Sequence, residues 1–362
     1  MVLGIIAFAT AFFFAANIGA SGTAAAMGAA YGGGALRSRT AAVWLVAAFA
    51  VAGAMLGGGE VVTTISKGII PESMISIEAS VVILLSAAIT LFSANRIGIP
   101  LSTSEVAVGS IVGVGIAFRN VYWGNVAFMV AVWIVLPFAA FAIAYALGRA
   151  SRPVERLLAR LLPGAAPKLL SACLIAMGCY EAFSAGMNNV ANAIGPIVGA
   201  GLIGTGAGIA LGSLFMAAGA IAMGGRVLET NGKKITKLTL MQGSVVSFTS
   251  GTLVIIASMF GLPVPLTQAT TMAIMGVGTE SIGTSLFRQP IVKRIFRVWL
   301  YSPLIAMIVS LLLMETVLHG SFWLAFAIVA SLAFTLALLL RKTKLPAETA
   351  ECYARQAEKP LP

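Results

Sequence analysis

Long apolar stretches, separated by short polar segments, run along the chain from its first residues to about position 340. A helix needs about 20 apolar residues to cross the hydrocarbon core of a bilayer. None of the stretches alternates apolar and polar positions in the way that is typical of a barrel strand. We therefore predict an all-α, polytopic membrane protein with about 11 transmembrane helices, some of them broken. The apolar stretches lie near 1–22, 41–58, 74–94, 99–117, 121–147, 169–187, 193–223, 239–260, 262–282, 298–318 and 321–340.

Composition supports this prediction. Hydrophobic residues make up 59% of the chain and charged residues 10%, and the mean hydropathy is +0.99. A soluble domain has about a quarter of its residues charged, so lipid must surround most of this chain. The net charge of +11 does not indicate a nucleic-acid partner, because the basic residues lie in short loops, where they set the topology of a membrane protein.

The basic loops also predict an orientation and a division of the chain. Loops rich in Lys and Arg stay in the cytoplasm, and an odd number of crossings then places the N-terminus outside the cell membrane and the C-terminus in the cytoplasm. The five predicted parts are a first transmembrane repeat (1–147), a basic cytoplasmic linker (148–168), a second transmembrane repeat (169–287), a C-terminal transmembrane hairpin (288–340) and a cytoplasmic tail (341–362).

Three segments of the first half recur in the second half in the same order. Residues 98–115 align with 261–278 without a gap, residues 58–69 with 224–235, and residues 15–21 with 186–192. Related halves that each contain an odd number of crossings must have inverted topology. Such an arrangement places a substrate site near the membrane midplane, where interrupted helices of the two repeats meet.

Four interruptions gather polar side chains inside apolar sequence: Asn17–Gly22, Pro100–Ser104, Asn188–Pro196 and Pro263–Thr267. A Pro before a Ser/Thr run indicates a helix start, and the free N–H groups of a helix start attract anions. A purely structural interpretation as helix caps stays open, since Ser102 and Glu105 fit a capping box. The predicted anion-binding residues are Asn17, Ser21, Ser102, Thr103, Ser104, Asn188, Asn189, Asn192, Thr267 and Gln268.

Carboxyl groups within or beside the apolar segments are a second signal. A charge at the centre of a bilayer costs about 2.5–3.5 kcal/mol on insertion scales, so such groups usually line a cavity or relay protons. Glu60 could instead form a structural ion pair with Arg226, its partner in the repeat alignment. The candidates for a coupling role are Glu105, Glu181, Glu60 and Glu229.

No motif for an enzyme or a cofactor is found in the sequence. Cys173 and Cys179 lie six residues apart on an apolar helix and share no face, so they suit neither a metal site nor a disulfide. No nucleotide-binding loop or nucleophile–base pair stands in a usable context. We therefore predict no metal, no cofactor and no enzymatic activity.

The motifs resemble the inorganic phosphate transporter (PiT) family over nearly the whole chain. That family carries a G-A-N-D-V-A-N signature in each half, which residues 186–196 (GMNNVANAIGP) match closely. Its P-V-S-T-T-H element looks like Pro100–Glu105 and, more weakly, like Pro263–Gln268. The resemblance implies cation-coupled symport, with anion and cation sites formed by the signature segments.

Both signature Asp residues are absent from this chain, where Ile18 and Asn189 take their places, and all 12 acidic residues are Glu. A carboxylate suits the protonated oxygens of phosphate but repels sulfate, which needs donors on every oxygen. We therefore expect secondary active import of sulfate, coupled to H⁺ rather than Na⁺. Symport of phosphate or another tetrahedral oxyanion, coupled to either cation, is the alternative, and a homodimer is a candidate assembly.

Overall fold

The computed structural model describes residues 1–97, 101–225, 228, 238–283, 287 and 290–320. These residues form helices and connecting turns, without a strand. The helices are α1 (Val2–Ile18), which continues into a π-helical turn (Gly19–Thr23), α2 (Gly28–Gly32), α3 (Arg39–Gly57), α4 (Gly59–Lys67), α5 (Ile77–Ile97), α6 (Thr103–Ala117), α7 (Trp123–Leu161), α8 (Ala166–Gly199), α9 (Thr205–Met223), α10 (Leu240–Met259), α11 (Leu266–Ile282) and α12 (Pro290–His319).

The prediction of an all-helical, multi-pass membrane protein is confirmed, although the helices are arranged differently from the predicted 11 crossings. Within the described residues, 8 helices are long and apolar enough to cross a membrane. Helix α6 has only 15 residues, about 22 Å of length, against a hydrocarbon core of about 30 Å. It is therefore too short to be a crossing of its own. The predicted last crossing, 321–340, lies outside the described residues.

Helix α8 corrects one predicted interruption. The segment Asn188–Pro196 was expected to break the chain, but it lies inside a continuous helix of 34 residues. Pro196 lies three residues before the end of this helix, which continues through it to Gly199. The turn between the two predicted crossings therefore lies at residues 200–204, not within the Asn-rich segment.

The other interruptions are present where the structure describes them. Ser21 has non-helical backbone angles (φ −101°, ψ −106°) inside the π-helical turn. Residues 262–265 are non-helical and lead into α11. Ser102 caps the start of α6, while residues 98–100 lie outside the described part of the chain.

The segment predicted as the basic linker is largely helical. Helix α7 extends over 39 residues to Leu161 with Pro153 inside it, so residues 148–161 continue a membrane helix. Only residues 162–165 turn the chain into α8. The tail 341–362 and all but residue 228 of the basic loop 226–237 lie outside the described residues.

The two halves exchange helix contacts in a reciprocal way. Helix α3 packs on α8, and α9, from the second half, packs on α1. In the same manner α6 packs on α12, and α11 packs on α7. Helix α12 therefore packs on α6 in the way that α7 packs on α11. This correspondence is expected if the two halves are related repeats.

Glycines permit the closest of these crossings. A Cβ atom at Gly53 would overlap the carbonyl oxygen of Phe183, and one at Gly219 would overlap that of Ala16. Gly53 and Gly219 each lie five residues before the aligned segments 58–69 and 224–235. Small residues let membrane helices approach closely, which is a main source of their association in lipid.

We expect Gly53→Ala to destabilise the protein, because the added methyl group would meet backbone of α8 that cannot move aside. Overpacking of this kind costs about 1–3 kcal/mol or more, measurable as a lower thermal unfolding temperature in detergent. Gly206→Ala is the matched control, since a Cβ there meets no atom within 4 Å. Equal unfolding temperatures for the two variants would contradict the packing argument.

Candidate anion-binding site

Polar side chains converge where the starts of α6 and α11 meet the middle of α8 and the kink that follows α1. All ten residues predicted to bind the anion are buried, and none is more than 5% exposed. Long-range hydrogen bonds join several of them. The sequence therefore identified the composition of this cluster, while the individual roles of its members follow from their partners.

The first turn of α6 is fastened to α8 by side chains. Thr103 donates from Oγ1 to Oδ1 of Asn189 over 3.0 Å, and Ser104 donates from Oγ to Oδ1 of Asn188 over 3.2 Å. The amide nitrogen of Asn192 donates to Ser104 Oγ over 3.2 Å. Ser102 caps the same helix by accepting from the backbone N–H of Glu105 over 3.2 Å, as the capping interpretation predicted. Ser102 therefore caps α6, whereas Thr103 and Ser104 bond to α8.

Asn188 uses its whole side-chain amide inside the protein. Its Nδ2 donates to Ser258 Oγ (2.8 Å) and to the carbonyl of Leu262 (3.0 Å). Its Oδ1 accepts from Ser104 and from the backbone N–H of Val264 (3.2 Å). These bonds fill both donor and both acceptor positions of an amide. Asn188 was predicted to contact the anion directly, and in the structure its side chain joins α8 to α6, α10 and the segment before α11.

The non-helical segment before α11 is held by side chains from three helices. Asn188 of α8 donates to the carbonyl of Leu262, and Trp133 of α7 donates from Nε1 to the carbonyl of Pro263 over 2.7 Å. Ser104 of α6 has one hydroxyl proton, which it shares between Asn188 Oδ1 and the carbonyl of Val264, 3.1 Å away. Sequence reasoning missed Trp133. A buried indole N–H generally requires an acceptor, which was the available signal.

Nine buried donors lack a hydrogen-bond partner among the described residues, and three of them lie in the kinked turn or on α8: Ser21 Oγ, Thr23 Oγ1 and Asn189 Nδ2. A Cβ placed on Gly22 would lie 3.3 Å from Thr267 Oγ1 and 3.9 Å from Asn189 Nδ2, so the kinked turn adjoins α8 and the start of α11. A buried donor without a partner costs about 1–3 kcal/mol. A bound anion would satisfy such donors, and the N-termini of α6 and α11 would add to the attraction.

The remaining predicted anion ligands have partners inside the protein. Asn17 donates from Nδ2 to the carbonyl of Phe13 over 2.8 Å, and Thr267 donates from Oγ1 to the carbonyl of Leu101 over 3.3 Å. The Thr267 hydroxyl therefore donates its hydrogen bond to the carbonyl of Leu101, and its oxygen can still accept one. Thr23, by contrast, was not predicted, because an isolated Thr in an apolar segment carries no motif.

Glu105 and Gln268, which are partners in the repeat alignment, meet directly. Gln268 donates from Nε2 to Glu105 Oε1 over 2.6 Å. A residue can touch its repeat partner only near the axis that relates the two halves, so this pair lies close to that axis. The other carboxyl oxygen of Glu105, Oε2, is buried and has no partner among the described residues.

The other candidate carboxyl groups lie apart from this cluster. Glu181 accepts from Ser250 (2.8 Å) and Thr270 (2.5 Å) and precedes Asn188 by seven residues on α8, about 10 Å along the helix. Glu60 is exposed in the first turn of α4. Glu229, and Arg226 as the proposed partner of Glu60, lie outside the described residues. In the part of the chain that the structure describes, no group of three His, Cys, Asp or Glu side chains could hold a metal ion.

A multi-pass helical bundle with buried polar side chains at helix starts defines a membrane transport protein rather than an enzyme. The model of the phosphate transporter family matches residues 18–310. The chain belongs to this family, and it is a permease for an oxyanion. The family predicted from the signature motifs is thereby confirmed.

Individual relatives agree with this assignment. The chain is 45% identical to sulfate permease CysP of Bacillus subtilis over 88% of this chain and 90% of that protein. It is 30% identical to a putative phosphate permease of Pyrococcus abyssi over 82% of this chain and 94% of that protein. A solved structure titled the sodium-dependent phosphate transporter superposes with a TM-score of 0.77 at 23% identity, covering 88% of this chain and 99% of that chain. The fold is therefore shared.

We expect the neighbouring residues Asn188 and Asn189 to respond differently to replacement by Ala. Asn188→Ala should lower thermal stability, because it leaves the buried hydrogen-bond partners of Asn188 unsatisfied, at a cost of about 1–3 kcal/mol each. Asn189→Ala removes only the bond accepted from Thr103, so it should lower the unfolding temperature less than Asn188→Ala, but it should abolish stabilisation by added anion. Thermal unfolding with and without anion distinguishes the two variants, and identical behaviour would refute the division of roles.

Proposed function

We propose that this permease imports sulfate across the cell membrane by H⁺-coupled symport. The observation that carries the proposal is the uncharged donor set of the site, with Asn189 and Ile18 where the family signature has Asp. The 45% identity to a protein named sulfate permease supports the same substrate.

The charge on the anion supplies the physical reason. Sulfate has no proton near neutral pH, so every oxygen requires a donor and a carboxylate nearby repels it. The unpartnered groups Asn189 Nδ2, Ser21 Oγ and Thr23 Oγ1 are neutral donors. Phosphate retains a proton near neutral pH. A carboxylate of the absent Asp residues would accept a hydrogen bond from that protonated oxygen.

Phosphate or another protonated oxyanion is the second candidate. One observation favours it: Asn192 Oδ1 and Glu105 Oε2 are buried acceptors without partners among the described residues. An acceptor can bind a protonated oxygen of phosphate but not an oxygen of sulfate. For sulfate, at least the Glu105 oxygen must itself carry a proton.

We expect Asn189→Asp to depress sulfate uptake and to raise the ratio of phosphate to sulfate uptake. The new carboxylate replaces a donor with a charged acceptor beside the anion. The measurement is competition for labelled sulfate uptake into proteoliposomes by phosphate, thiosulfate, selenate, chromate and molybdate, at two pH values and with or without Na⁺. Asn125→Asp provides a comparison at an exposed amide that bonds to the carbonyl of Gly68 instead. An unchanged ratio in Asn189→Asp would contradict the charge argument.

Glu105 is the proposed coupling group. Its ionised form would repel the anion, whereas a proton on Oε2 would turn the unpartnered acceptor into a donor for an oxyanion oxygen. Proton binding and anion binding would then favour each other. The position of Glu105 beside the axis between the halves suits a group that must face both sides of the membrane in turn. Glu181 is the second candidate, since it is buried but bonded to two hydroxyl groups.

We expect Glu105→Gln to separate exchange from accumulation. The neutral amide removes the charge that must be titrated, so exchange of sulfate between the two sides should persist while accumulation driven by a pH gradient is lost. Glu60→Gln, at an exposed carboxyl, should retain both activities. Accumulation in Glu105→Gln, or uptake by the unaltered protein driven by Na⁺ without a pH gradient, would overturn this assignment.

Inverted topology, an external N-terminus and a cytoplasmic C-terminus complete the proposal. The reciprocal contacts of α3 with α8 and of α9 with α1 support related halves that move against each other around the anion. A homodimer is also proposed, as a candidate assembly of the complete permease.

A further inference from the structure

Gly22 lies in the kinked turn after α1. Neither a left-handed backbone conformation nor a close approach of another backbone explains a glycine at this position. Its φ lies outside the left-handed region that favours glycine, so an L side chain fits the backbone. A Cβ at this position would meet only two atoms within 4 Å, Thr267 Oγ1 at 3.3 Å and Asn189 Nδ2 at 3.9 Å. Both belong to side-chain polar groups, and neither is backbone.

Other glycines of the same helices have an evident packing reason. A Cβ at Gly19 would overlap the carbonyl of Met216, and one at Gly186 would overlap the carbonyl of Ala50. In the repeat alignment, Gly22 corresponds to Ala193, which is fully buried inside α8. The second half therefore accommodates a methyl group at the equivalent position, and the glycine is specific to the half that carries the kink.

We propose that Gly22 is a specificity-determining residue that keeps open the space for an oxygen of a tetrahedral oxyanion beside Asn189 and Thr267. The inference rests on the proposed function, because it places the same anion at the same site. Asn189 supports it independently: its Nδ2 is unpartnered among the described residues, the residue is only 1% exposed, and the nitrogen lies next to the position of the missing Cβ.

The dimensions are consistent with exclusion of an anion by one methyl group. An oxygen hydrogen-bonded to Asn189 Nδ2 lies about 2.9 Å from that nitrogen, and a methyl group on residue 22 would compete for the same small volume. The volume is bounded by polar atoms on α8 and α11, which are themselves fixed by bonds to α6 and to Leu101. These side chains therefore cannot move aside freely to make room for a methyl group.

The test is Gly22→Ala in the complete protein, with Gly59→Ala as the matched control, because a Cβ on Gly59 meets no atom within 4 Å. Initial rates of uptake of sulfate, selenate and molybdate, in order of increasing size, are measured in proteoliposomes together with the thermal unfolding temperature. In Gly22→Ala we expect the KM for sulfate to rise by about tenfold or more, with a larger rise for each larger anion and an unchanged unfolding temperature.

Two results would overturn the inference: a KM for sulfate within about twofold of the unaltered protein, or an equal loss for all three anions accompanied by a lower unfolding temperature. If the unaltered protein transports no sulfate, the proposed substrate fails, and stabilisation against heat by each oxyanion replaces transport as the measurement. The inference then stands if Gly22→Ala removes the stabilisation that Gly59→Ala retains. It falls if both variants are stabilised alike, or if no oxyanion stabilises the unaltered protein.

Discussion

The hydrogen bonding of backbone inside a membrane is the constraint on which the rest of this structure depends. Lipid offers no partners for exposed carbonyl groups, so the non-helical residues 262–265 must find them within the protein. Asn188 and Trp133 donate to the carbonyls of Leu262 and Pro263, and Ser104 shares its one hydroxyl proton between Asn188 Oδ1 and the carbonyl of Val264. Because these donors come from α8, α7 and α6, one break in the backbone holds three helices in a defined arrangement.

That arrangement separates groups that build the site from groups that remain available to a ligand. Asn188 is saturated, and Ser102 is engaged as a cap. Asn189 and Ser21 keep unused donors although both are buried. In the proposed site a bound anion would satisfy these donors, so that binding energy and selectivity would come from the same few atoms.

Neutrality of the site has consequences for both substrate and coupling. With no Asp in the chain, Glu105 is the one carboxyl group among the described side chains of this cluster, and its neighbour Gln268 is a donor. In the proposed H⁺ coupling, protonation of Glu105 would remove the repulsion between its carboxylate and the anion. Electrostatics would then link the two binding events directly.

The sequence by itself determined the membrane class, the family and the start of α6, and it predicted the related halves and the set of polar residues that the structure brings together. These properties depend on local composition and on spacing along the chain, which a single sequence displays. Only the tertiary structure decided that α8 is continuous, that the amide nitrogen of Asn188 is engaged while that of Asn189 is not, and that Trp133 bonds to the segment before α11. The physical reason is that a polar side chain takes its role from its partner. The partners of Asn188 lie 70 or more residues away in sequence, where no local pattern reaches.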